Sequence, residues 1–209
     1  MSRFALEADK QTQQQGKTQD FELADWLDQR KYLYYVYGLG NTHMKTVLIF
    51  RHAKSDWSEE FPDDHERPLA SRGRKAARVM GRFLRVIDQM PDAVVTSSAT
   101  RAATTATLAA KAGKWKCPIR VADELYACAP DDILKEIRSQ PDSVDTALVT
   151  AHEPSCSEAI SLFVGGARVR FPTAAIARLD FPVNGWKDCA YGHAQLIWLA
   201  TPALVEELV

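Results

Sequence analysis

Val47-Leu48-Ile49-Phe50-Arg51-His52-Ala53-Lys54-Ser55-Asp56-Trp57 is the stretch on which the reading of this chain turns. Lys45 to Phe50 is strand-sized, and Val47 to Phe50 are apolar without alternation, the pattern of a strand covered on both faces as parallel strands are. The run ends abruptly on a guanidinium and an imidazole. In open α/β sheets ligands bind just beyond the carboxyl ends of the strands, so Arg51 and His52 are the first residues to inspect for chemistry.

Outward from this stretch the texture is that of alternating strands and helices. Ser71 to Ile87 reads as a helix with Ala76, Val79, Met80, Phe83, Leu84 and Ile87 on its core face. Ala93 to Thr96 is a second strand, Thr100 to Lys111 a helix, and Ile119 to Val121 a short strand beside Pro118. A helix follows over about Asp131 to Arg138, then a buried strand at Ala147 to Thr150. Ser155 opens another helix with Glu158 three positions on, the spacing of a capping box. Phe171 to Phe181 and Leu196 to Leu199 read as the last strands. This order predicts an α/β fold with a mostly parallel central sheet over residues 44–209.

Residues 1–43 read as a polar extension. Its first 20 residues, with Gln11, Gln13, Gln14 and Gln15, lack the apolar surface needed to offset chain entropy. Phe21 to Tyr37 place Leu23, Trp26, Leu27, Tyr34 and Tyr37 on one face of a short helix, which Gly38 to Asn41 break. The 209 residues carry 26 basic and 27 acidic side chains, so no global positive field argues for nucleic acid or an anionic membrane as partner. No run reaches the roughly 18–20 apolar residues of a membrane span. Cys117, Cys128, Cys156 and Cys189 are widely spaced, with no CxxC pair and no secretory leader, which predicts reduced thiols in the cytoplasm.

Three predicted strand ends carry the chemistry. Arg51 and His52 follow the first, Arg101 follows the second in Ser97-Ser98-Ala99-Thr100-Arg101, and His152 follows the fourth in Thr150-Ala151-His152. Two arginines and two histidines on one rim suit a phosphoryl group, whose charges match guanidinium forks and whose phosphorus an imidazole nitrogen can attack. The two histidines then need different protonation states: His52 neutral as nucleophile, His152 cationic to steady the equatorial oxygens. His43, His65 and His193 lack such placement and read as surface or loop residues. No cysteine has an arginine six positions later, and GxxxxGK[ST], GxGxxG and GxSxG are absent. No DxD follows a predicted strand, so neither a metal nor another cofactor is implied.

The opening stretch resembles that of SixA-type phosphohistidine phosphatases, a compact branch of the histidine phosphatase superfamily that also holds phosphoglycerate mutases. Arg67-Pro68-Leu69 with Arg72-Gly73, Ser97-Ser98 with Arg101-Ala102, Glu124-Leu125-Tyr126, His152 and Pro172-Thr173 continue the likeness over about residues 45 to 200. The resemblance implies a three-layer α/β/α sandwich of phosphoglycerate mutase type. It implies a phosphate pocket of Arg51, His52, Arg101 and His152, and a metal-independent phosphatase working through a phosphohistidine on His52. The substrate it implies is a phosphorylated one, phosphohistidine in a protein above all. Ala53 stands where the wider superfamily has glycine, as is usual in the SixA-like branch, while Glu153 and Ser155 depart from the usual Asn-Pro-Gly after the second histidine.

Glu124 is the first choice for a general acid, since it follows the third strand, where the wider superfamily places its acid, while Asp56 and Glu59 lie in the segment after the nucleophile. Ser98 and Thr173 could orient pocket side chains; Lys54 and Arg72 read as solvated. Two alternatives stay open: a small-molecule phosphomonoesterase or mutase using the same pocket, and a non-catalytic module that binds phosphate or a phosphoprotein. A mutase usually needs extra basic loops to hold its phosphorylated product, for which this compact chain has little room.

Overall fold

A computed structural model describes residues 44–58 and 60–209, all of which belong to the unit Asn41–Val209. The readings for residues 1–43 and for Glu59 lie outside the described residues. Six strands form one sheet: β1 (Lys45–Arg51), β2 (Ala93–Ser97), β3 (Ile119–Ala122), β4 (Thr146–Ala151), β5 (Ile176–Phe181) and β6 (Gln195–Ala200), in the order β3-β2-β4-β1-β5-β6. β3, β2, β4 and β1 are parallel neighbours, whereas β5 runs antiparallel to both β1 and β6. The helices are α1 (Ser71–Val86), α2 (Thr100–Gly113), α3 (Pro130–Arg138), α4 (Ser155–Phe163) and the short α5 (Pro202–Val205).

The non-alternating apolar run of β1 has its reason in two cores. Successive side chains of a strand point to opposite faces. Val47 and Ile49 accordingly join Val95, Val149, Ile133, Ile137, Ile160 and Phe163 on the face covered by α3 and α4. Leu48 and Phe50 join Val94, Leu148, Met80, Leu84 and Ala106 on the face covered by α1 and α2. A sheet with helices on both faces is the three-layer α/β/α sandwich. Glycine lets α1 and α2 approach closely: a Cβ at Gly81 would lie 2.1 Å from the Ala109 carbonyl oxygen.

Two local expectations are corrected. The strand expected from Phe171 begins only at Ile176, because Ala174 adopts a left-handed backbone (φ 60°) and Ala175 N–H turns back to the Pro172 carbonyl at 3.0 Å. The capping box expected at Ser155 is not formed. Ser155 is the first helical residue and its hydroxyl donates to the Cys128 carbonyl, while Glu153 caps α4 by accepting from Ser157 N–H at 3.2 Å and Ser157 Oγ at 2.7 Å. Among the described residues no helix is long and apolar enough to cross a membrane.

Candidate active site

Because β1, β2 and β4 are parallel neighbours, their carboxyl ends lie along one edge of the sheet. Arg51 pairs with Ala151 in the ladder, and His52 N–H continues it by donating to the Ala151 carbonyl at 3.0 Å. The next residue of β4's exit is His152. The two imidazoles therefore face each other with ring centroids 4.9 Å apart. Arg101 comes from the first turn of α2 and is only 9% exposed.

The loop after β1 fixes the His52 ring. Its Nδ1 lies 2.7 Å from the carbonyl oxygen of Ala53; a carbonyl can only accept, so Nδ1 carries the proton and Nε2 keeps a free lone pair. Ala53 is held in turn by Thr105, whose Oγ1 accepts from Ala53 N–H at 3.0 Å and donates to the Arg101 carbonyl at 2.6 Å. Thr105 thus ties the loop after β1 to the helix turn that bears Arg101. Burial, outweighing the Ala53 hydrogen bond and joined by the charges of Arg101 and Arg51, lowers the His52 pKa to about 4.

His152 is 7% exposed. Its Nε2 lies 2.9 Å from Ser97 Oγ, which already accepts from Ala99 N–H at 3.3 Å. That hydroxyl can give its own proton to Nε2; in that tautomer the imidazole proton sits on Nδ1, a buried atom without a partner. Burial first, then the charges of His52 and Arg101, push the His152 pKa down to about 3. Burial beside an imidazole and a guanidinium thus works against the cationic His152 expected from the sequence. Arg51 Nη1 donates to the Phe171 carbonyl at 2.7 Å, while its buried Nε has no partner. Two of the pocket's buried donors are therefore left for an anion to satisfy.

Other residues bound the pocket that sequence reasoning passed over. Ser97, not Ser98, touches His152; Ser98 Oγ lies 2.9 Å from Nε2 of His65. His65 sits on a 3₁₀ turn (Asp64–Glu66) and packs edge-on against Tyr126 at 4.8 Å, and Tyr126 in turn stands 5.9 Å from the His152 ring. Asp64 reaches Arg101 twice, its carbonyl accepting from Nη1 at 2.6 Å and its carboxylate meeting Nη2 at 3.0 Å. Glu124 is exposed on the turn Asp123–Leu125, while its neighbour Tyr126 is the residue that faces the pocket. His193 is exposed.

The sequence profile of the histidine phosphatase superfamily (branch 1) matches residues 47–132. An uncharacterized protein of Mycobacterium leprae is 34% identical over 165 residues, spanning 73% of this chain and 99% of its own length. One of Mycobacterium tuberculosis is 37% identical over 164 residues with the same coverage. The chain belongs to the histidine phosphatase superfamily. Within it the chain is SixA-like: a protein assigned as phosphohistidine phosphatase SixA in Nakamurella multipartitia superposes with a TM-score of 0.66 at 28% identity, covering 76% of this chain and 96% of that one. Superfamily members are generally phosphatases and mutases with a histidine nucleophile.

The depressed histidine pKa values have a measurable consequence for stability. Both groups titrate near 6.5 in the unfolded chain and well below it when folded. Between about pH 6.5 and 4 the unfolded chain binds more protons, so stability present above 6.5 is lost as pH falls. The melting temperature of the wild type is expected to drop over that interval more steeply than that of a His52→Asn/His152→Asn double variant. Parallel curves would contradict buried neutral histidines.

Proposed function

We propose that the protein is a metal-independent phosphatase whose His52 Nε2 takes up the phosphoryl group, and that its substrate is phosphohistidine in a protein. The observation that carries this reading is the state of His52: Nδ1–H is committed to the Ala53 carbonyl, the ring is neutral, and Nε2 is free to attack. Arg51 and Arg101 then meet the phosphoryl charge as guanidinium donors, and His152 Nδ1–H adds a neutral one. The named activity of the Nakamurella SixA protein supports the choice of substrate. A cytoplasmic address goes with it, supported by four cysteines that form no disulfide.

In the first step a bond forms from His52 Nε2 to phosphorus as the bond to the leaving atom breaks. In the second, water attacks the phosphohistidine, inorganic phosphate leaves, and the electron pair returns to Nε2. Charge on the transferring group is met by protein donors throughout. Turnover is therefore expected to be unchanged by EDTA and inhibited by low concentrations of vanadate, which mimics five-coordinate phosphorus. The test compares phosphate release from a phosphohistidine-bearing carrier protein with release from free sugar phosphates, and traps the phosphoenzyme for mapping. Faster turnover of the sugar phosphates would refute the substrate reading. Loss of activity on chelation, restored by magnesium or manganese, would refute the metal-free one.

A further inference from the structure

The guanidinium of Arg101 has an internal partner of its own charge complement. Asp64 lies 37 positions away in sequence, yet its carbonyl and its carboxylate occupy Nη1 and Nη2 of Arg101. The other carboxylate oxygen accepts from Arg67 Nε at 3.0 Å, and the Tyr126 hydroxyl stands 3.4 Å from Oδ2. Arg67 is itself braced by stacking on Trp57, its guanidinium carbon 3.7 Å from the ring centroid. The carboxylate is thus held beside the pocket by a tether independent of Arg101. Its side chain is 48% exposed, open to exchange of protons with solvent. Glu124, by contrast, has neither hydrogen bond nor ion pair to a pocket residue.

From this arrangement we propose that Asp64 is the acid–base group of the reaction. The inference rests on the phosphatase reading above. A phosphoryl dianion that enters against His52 competes for Arg101, and Asp64 yields Nη2 to it while keeping Arg67. Burial raises the Asp64 pKa, but the Arg67 hydrogen bond and the Arg101 charge outweigh it and hold the carboxyl below the ordinary range. Losing Arg101 and gaining an anionic neighbour both reverse that balance, so the carboxyl takes a proton from solvent. It gives the proton to the leaving atom as the bond from that atom to phosphorus breaks and the Nε2–P bond forms. In the second step the carboxylate accepts a proton from the attacking water as the P–N bond breaks, which restores the carboxyl for the next cycle. Across the pocket the Asp64 charge also acts on His52 and His152, while the neighbouring His65 ring is turned to Ser98 and Tyr126.

The test uses the full chain and a series of aryl phosphates whose phenols span several pKa units, together with an alkyl phosphate. Values of kcat/KM report phosphoryl transfer to His52. Asp64→Asn keeps an oxygen acceptor for Arg101 but cannot donate a carboxyl proton. Its kcat/KM is expected to fall about 10²- to 10⁴-fold for the alkyl and unactivated phenyl esters and less than about tenfold for 4-nitrophenyl phosphate, so that dependence on the leaving group steepens. A variant that lowers every substrate by the same factor would show that Asp64 only positions Arg101, and would overturn the proposal. So would Glu124→Gln steepening the dependence while Asp64→Asn leaves it as in the wild type. Absence of wild-type turnover with the whole series and with a phosphohistidine-bearing carrier protein would instead remove the phosphatase reading and this inference with it.

Discussion

Replacing His52 by alanine is expected to reduce kcat by about 10⁴-fold or more while leaving the melting temperature within a few degrees of the wild type. The side chain stands at the exit of β1, not in either core, and its one hydrogen bond is to the loop that carries it. Removing it deletes the free Nε2 and no packing layer. A histidine kept for structure would behave oppositely, because its loss would lower stability and activity together. Residual turnover within about tenfold of the wild type would withdraw the nucleophile role. Phosphate trapped on the wild type in an acid-labile, alkali-stable form, and missing from His52→Ala, is the matching positive result.

The fold was legible where burial speaks through local pattern. Val47 to Phe50 reads as a doubly covered strand, and Ala93 to Thr96 and Ala147 to Thr150 as further strands of the sheet, and each does face two helical layers. From parallel strands it follows that their exits share an edge, and so Arg51, His52 and His152 could be placed side by side from sequence. What escaped is information held across long separations or in register. Asp64 and His65 lie on a 3₁₀ turn in a segment with no period, and their partners Arg101 and Ser98 are more than thirty residues away. The choice between Ser97 and Ser98 depends on which of two adjacent residues ends the strand facing the rim. The direction of the His152 pKa shift could not be read because it depends on burial together with the charges of His52 and Arg101, which lie far away in sequence. Glu124 follows β3, but adjacency to a strand end does not say which nearby side chain looks inward; Tyr126, just after the turn, does. The only trace of the Asp64 turn was the Arg67-Pro68-Leu69 stretch beside it, and the only trace of Tyr126 was its place after Glu124-Leu125.

Gly73→Ala is the second variant expected to have a large effect, and it couples the fold to the chemistry. A Cβ at Gly73 would lie 2.1 Å from the carbonyl oxygen of Lys54, a backbone atom that cannot rotate aside. That same oxygen accepts from Ala70 N–H at 3.0 Å, and Asp56 N–H donates to the Pro68 carbonyl at 2.8 Å, so the segment after His52 is stitched to the approach to α1. Close packing of this kind has no slack to absorb a methyl group. Either the start of α1 moves out or Lys54 moves in toward Ala53, whose carbonyl orients the His52 ring. Overpacking is expected to cost about 1–3 kcal/mol of stability, read as a lower melting temperature. Displacing His52 by about 1 Å is expected to lower kcat/KM by about 10²-fold if it is the attacking group proposed above. Gly185→Ala supplies the comparison, since a Cβ there meets nothing nearer than 3.6 Å and its φ of −131° suits any residue. That variant should match the wild type in both measurements. A Gly73→Ala protein with unaltered melting temperature and kcat/KM would mean that the contact between α1 and the loop after β1 is loose, and that the His52 ring owes its orientation to Thr105 and Ala53 alone.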